Sequence, residues 1–173
     1  MVRMKKFAVT ALLFLLTFSA ASATTKEESS AQSGSRTGYR GSISAHAMFN
    51  VWLGAETSHG YIFNRRHYVG GGIRASVAPV ENIYVLGHIF AEYRYFILTQ
   101  DSSPTLGAKA GLCTDLRNDP SGPPISRAAE IEINIGWDWT FKNGSGVFLQ
   151  LAAPFFFADF FQFIPKLSFG VEF

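Results

Sequence analysis

The chain has 173 residues, 15 Lys and Arg against 13 Asp and Glu, and one cysteine, Cys113. That length suits a single domain, and a lone cysteine excludes an internal disulfide framework, so an exported form must be held by its core or by a membrane. Three of the cations, Arg3, Lys5 and Lys6, precede the apolar run 7–18 and the small residues Ala21-Ser22-Ala23; without them 12 cations face 13 anions, a formal charge near −1, which leaves no basic block for nucleic acid.

Residues 1–23 therefore read as a signal peptide cleaved after Ala23, with a charged start, an apolar centre and an A-x-A-like end. The run is too short for a transmembrane helix, which needs about 20 apolar residues, and no cysteine at the cleavage point offers a lipoprotein anchor. Residues 24–37, "TTKEESSAQSGSRT", are polar, Ser/Thr-rich and aperiodic, which predicts a disordered lead-in. From Gly38 onward the pattern is alternation with period 2 and no sustained helical stripe. Its clearest stretch is 129–142, with Ala129, Ile131, Ile133, Ile135, Trp137, Trp139 and Phe141 on one face and Glu130, Glu132, Asn134, Gly136, Asp138, Thr140 and Lys142 on the other. Similar runs at 38–52, 55–63, 67–77, 82–98, 105–115, 146–153 and 164–173 make eight predicted strands.

"FNRRH", "TQDSSP" and "KNGSG" read as short hairpin turns, while 115–127 and 153–165 read as long connections. Short gaps near Leu53-Gly54 and 78–81 complete the series. Short turns on one side and long loops on the other suit an outer-membrane barrel with both termini in the periplasm. Gly70, Gly71 and Gly72 lie within a strand, where the ordinary expectation is a bulge.

Alternation alone leaves two architectures open. A secreted lipocalin-like barrel turns its apolar face inward, whereas a transmembrane barrel turns it to lipid. The second is favoured because Tyr93, Tyr95, Trp137, Trp139, Phe141 and Phe173 would collect at one rim as an interfacial aromatic girdle. The opposite face carries both signs of charge, at Arg40, Glu56, Arg74, Glu92, Arg94, Lys109, Glu130, Glu132, Asp138, Lys166 and Glu172, and can pair them inside a lumen. Eight strands leave room for side chains rather than an open pore.

The opening "GYRGSISAHAMFNV", the hairpin from "HGYIFN" to "YVGGGIRAS" and the closing "IPKLSFGVEF" resemble the small outer-membrane β-barrel proteins of Gram-negative bacteria, of the OmpA/OmpX eight-stranded type. The resemblance spans nearly all of 38–173 and implies an all-β, eight-stranded antiparallel transmembrane up-and-down barrel with a filled polar lumen. It also implies that Phe169, Val171 and Phe173 on the final strand act as the assembly signal for the barrel-insertion machinery. Outer-membrane lipids would be its other partners, and a structural or adhesive role its function.

His46, Glu56, Ser58, His59, His88 and Glu92 supply the residue types of a hydrolase or metal site, as in lipid-modifying barrels. No pair of histidines has metal-ligand spacing, so His46 and His88 are assigned to the lumen and no catalysis or cofactor is expected. Cys113 is assigned to the barrel wall. The run Phe155, Phe156, Phe157, Phe160, Phe161 and Phe163 either extends two strands into lipid, with Ala158-Asp159 as the turn, or forms a contact with lipid A, a partner protein or an extracellular ligand.

Overall fold

A computed structural model describes residues 36–49, 52–79, 83–116, 127–158 and 161–173, all within the unit Gly34–Phe173. The predicted signal peptide and the lead-in up to residue 35 lie outside the described residues. The strands are β1 (Gly38–Met48), β2 (Trp52–Phe63), β3 (His67–Pro79), β4 (Ile83–Phe96), β5 (Ser102–Asp115), β6 (Arg127–Thr140), β7 (Gly146–Phe157), β8 (Phe161–Phe163) and β9 (Lys166–Glu172).

From β1 to β8 each strand pairs antiparallel with the next, β7 pairs with β9 as well, and β1 pairs with β9 to close the sheet. The short β8 and β9 keep one register against β7, with Phe155 opposite Phe163 and Ala152 opposite Lys166, so together they form the eighth stave. Pro165 interrupts it because proline has no N–H to give the ladder. Its carbonyl still accepts from the Phe49 amide at 3.0 Å. Following paired residues once around the barrel, Gly38 leads to Ile62, Tyr68, Arg94, Gly107, Asn134, Ala152, Lys166 and back to β1 at Met48, a shear number of 10. Eight staves with that shear and ordinary strand spacings tilt by about 41° and enclose a backbone radius of about 8 Å.

Side chains alternate sharply across this wall. On β6, Ile133 is 52% exposed and Asn134 1%. Isoleucine, leucine, valine and aromatic side chains cover the outside, and the charged strand residues, apart from Arg127 at the end of β6, point inward. This inverted arrangement rules out the lipocalin-like alternative, whose polar face would meet water.

Four sequence expectations are corrected. The turn expected at Leu53-Gly54 lies earlier, because both residues are within β2. Gly54 is a packing glycine: a Cβ there would lie 2.6 Å from the His46 ring and 2.1 Å from the Ala75 carbonyl. The long connection expected at 153–165 is not found, since β7 runs to Phe157 and the next stave begins at Phe161, as the alternative of two strands extended through the phenylalanine run expects. No bulge occurs at Gly70, Gly71 and Gly72, which continue one register opposite Gly60, His59 and Ser58; Gly72 instead makes room for the Phe90 ring, 2.7 Å from where its Cβ would stand. Finally, the lead-in does not extend through residue 37, because Arg36 is 3% exposed and seated inside the barrel.

Candidate functional site

The centre of the lumen is an ion-pair lattice. β3 contributes Arg74, whose guanidinium donates to Glu56 on β2 (2.8 Å) and to Glu130 (2.6 Å) and Glu132 (2.8 Å) on β6. Lys166 on β9 reaches Glu132 at 2.6 Å and Glu56 at 3.4 Å. Lys109 on β5 pairs with Glu56 and lies 3.7 Å from Glu132 and 4.0 Å from Glu92. Nearer the termini, Arg94 on β4 binds Glu92 at 3.0 Å and Glu172 at 2.6 Å, with Arg40 3.7 Å from Glu172. Aromatic faces complete the packing. Phe90 lies beneath Arg74 (5.5 Å) and Lys109 (4.9 Å), and Arg94 sits 5.2 Å from both the Tyr68 and the Phe148 rings.

All eleven charged residues assigned to the lumen from sequence are buried. Asp138, however, pairs with Arg36 at 2.9 Å, a residue the sequence reading left in the lead-in. Arg36 also donates to Thr140 Oγ1 at 3.0 Å and to the Asp101 carbonyl at 3.1 Å, and lies 4.5 Å over the Phe96 ring. Burial lowers its guanidinium from the ordinary value, and the Asp138 charge opposes that shift. Among the described residues six cations (Arg36, Arg40, Arg74, Arg94, Lys109, Lys166) and six carboxylates (Glu56, Glu92, Glu130, Glu132, Asp138, Glu172) meet in these pairs. Balance matters because unpaired buried charge is expensive.

Apolar groups bound the lattice at both ends. Towards the termini stand Ile62, Tyr68 and Phe96; towards the other end stand Met48, Trp52, Leu86, Cys113, Phe156 and Ile164. Cys113 is thus buried on the lumen side of the wall, 3.7 Å from His88 Nε2.

The residues weighed for hydrolase or metal chemistry do not form one site. Ser58 donates to Glu92 at 2.6 Å and accepts from Tyr68 at 2.7 Å. His88 Nδ1–H donates to Glu130 at 2.7 Å, and His46 Nε2 is 3.0 Å from Ser76 Oγ. Among the described residues no group of three His, Cys, Asp or Glu could hold a metal ion. His59 alone of the six faces outward. Its Nδ1 is 2.6 Å from Tyr39 Oη and its Nε2 3.2 Å from Thr57 Oγ1. Thr57 gives its single proton to the Ser42 carbonyl at 3.0 Å, so it accepts from Nε2–H while Nδ1 accepts from Tyr39. In this arrangement the nitrogen beside the hydroxyl carries the proton and does not act as its base.

On the final strand, Phe169, Val171 and Phe173 are exposed outward. The Phe173 backbone exchanges two hydrogen bonds of 2.9 Å with Gly41. Its ring occupies the space a Gly41 Cβ would need, at 2.5 Å.

No family model and no curated protein matches the chain. Solved structures match its fold. The crystal structure of Neisserial surface protein A aligns with a TM-score of 0.59 and 15% identity, covering 80% of this chain and 96% of that one. The N-terminal β-barrel domain of Pseudomonas aeruginosa OprF aligns at 0.54 and 12%, covering 82% and 100%. The outer membrane enzyme PagL aligns at 0.45 and 14%, covering 77% and 97%. The fold is that of the small eight-stranded outer-membrane barrels.

Proposed function

We propose that this chain is an integral outer-membrane protein, exported by a cleaved signal peptide over 1–23, with a structural or surface-interaction role and no catalysis. One observation carries the reading: a closed barrel whose exterior is apolar around its full circumference and whose charges are paired inside. Hydrocarbon offers no partner to backbone N–H and C=O groups, so a sheet without edges is what a membrane permits. Both termini are assigned to the periplasm. The turns at their end are tight, as at 64–66, while the longest connection, 117–126, leaves from the opposite end; periplasmic turns are the short ones in such barrels.

Insertion is assigned to the barrel-assembly machinery, with Phe169, Val171 and Phe173 as its signal. The lumen lattice and the two apolar layers favour a support role over conduction. The engaged pairings of His46, Ser58, His59 and His88 favour a non-catalytic protein over a lipid-modifying one. The test is fractionation of expressing cells together with electrophoresis before and after boiling. The account expects protein in the outer-membrane fraction and a shift in mobility on heating. Released acyl chains on incubation with lipid A or phospholipid would contradict the non-catalytic assignment.

A further inference from the structure

The two outward aromatic girdles differ in chemistry. At the end away from the termini, Phe155, Phe157, Phe161 and Phe163 stack on one another and have no hydrogen-bonding group. At the termini end, the rings carry polar tips beside two arginines. Asn64 and Arg65 hold left-handed backbone angles, φ 51° and 59°, which makes the β2–β3 connection a tight hairpin turn and puts Arg65 and Arg66 in exposed positions. Arg66 donates to Tyr95 Oη at 2.9 Å. His67 packs against Tyr95 with ring centres 5.3 Å apart and shares a 2.9 Å hydrogen bond with Tyr93 Oη.

Because Tyr95 Oη accepts from Arg66, its own proton remains to be donated, and one bond leaves Arg66 with further N–H donors. A guanidinium hydrogen-bonded to a phenol, with a second exposed arginine next to it in sequence, suits a phosphate oxygen cluster, and the tilted His67 and Tyr93 rings, 6.1 Å apart, lie beside it.

We propose that Arg65, Arg66 and Tyr95 form a binding site for the phosphodiester of an anionic phospholipid in the leaflet on the termini side. This rests on the membrane reading above. Two exposed arginines adjacent in sequence favour a headgroup without an ammonium. Asp101, exposed on the β4–β5 turn at the same end, would favour an ammonium instead, so headgroup selectivity is the deciding readout.

Native mass spectrometry of the intact chain in detergent, offered phosphatidylglycerol, phosphatidylcholine or inorganic phosphate, tests it. Phosphatidylglycerol should be retained about tenfold over phosphatidylcholine, the equivalent of one good charge-assisted contact. The double variant Arg65→Gln/Arg66→Gln should fall to the phosphatidylcholine level with its boiling shift intact. Equal retention of the two lipids, unchanged retention in the double variant, or displacement of the lipid by inorganic phosphate would each overturn the site. A chain without any boiling shift would overturn the membrane reading itself, whereas a folded chain without selectivity overturns only this inference.

Discussion

Glu132 illustrates what one residue does in this interior. It is fully buried and faces Arg74 and Lys166 at 2.8 and 2.6 Å. Glu132→Ala would leave two cations short of a partner in low dielectric, and breaking a buried pair in this way costs about 3–5 kcal/mol; urea unfolding of protein refolded into liposomes would measure it. At the mouth, Arg36→Ala should destabilise for the same reason, since it strands Asp138. Adding Asp138→Asn to that variant should recover part of the loss. If the double variant is as unstable as the sum of the two singles, the pair contributes no coupling. Arg36 was not legible from sequence because it precedes the alternating run, and its burial depends on a mouth built by residues distant in sequence, Phe96, Asp101, Asp138 and Thr140. The eleven other charges were legible, since each shares the parity of a lumen-facing strand position.

At the scale of elements, β6 is the strand whose alternation is clearest in the sequence, predicted over 129–142 and observed as Arg127–Thr140. From 130 to 140 its inward positions are charged or polar apart from Gly136, so the period stands out. Agreement is poorest where β7 meets β8. Pro154, Phe156 and Ile164 face inward there as part of an apolar layer, so both faces are apolar and the period disappears into a phenylalanine run. For β6, Ile133→Arg near mid-height should cost about 2–4 kcal/mol in a bilayer, while Ile133→Val should be nearly silent; equal stabilities would refute a lipid-facing assignment. For β9, the seating of Phe173 over Gly41 separates assembly from stability. Phe173 remains 41% exposed, so Phe173→Ala should cost less than the 1.5–3 kcal/mol typical of full burial, roughly half. Refolding in detergent should be near normal and insertion in cells reduced. Equal amounts of variant and parent in the outer membrane would remove the assembly-signal proposal.

For the whole molecule, closure, tilt and filling follow from one another. A shear of 10 on eight staves gives a radius that side chains fill. Lumen glycines such as Gly72 and Gly170 admit the large rings of Phe90 and Phe148, and those rings pack against the cations of the lattice. On β6 the odd-numbered positions 131, 133 and 135 face lipid and the even-numbered 130, 132 and 134 face a packed interior. Replacing Cys113 by serine and placing single cysteines along 129–140 allows a nitroxide to be attached at each position in reconstituted vesicles, where collision with oxygen reports lipid and collision with a water-soluble nickel chelate reports water. High oxygen and low nickel accessibility is expected at 131, 133 and 135, and low accessibility to both at 130, 132 and 134. Nickel accessibility at 131, 133 and 135, with no alternation in the oxygen signal, would contradict it.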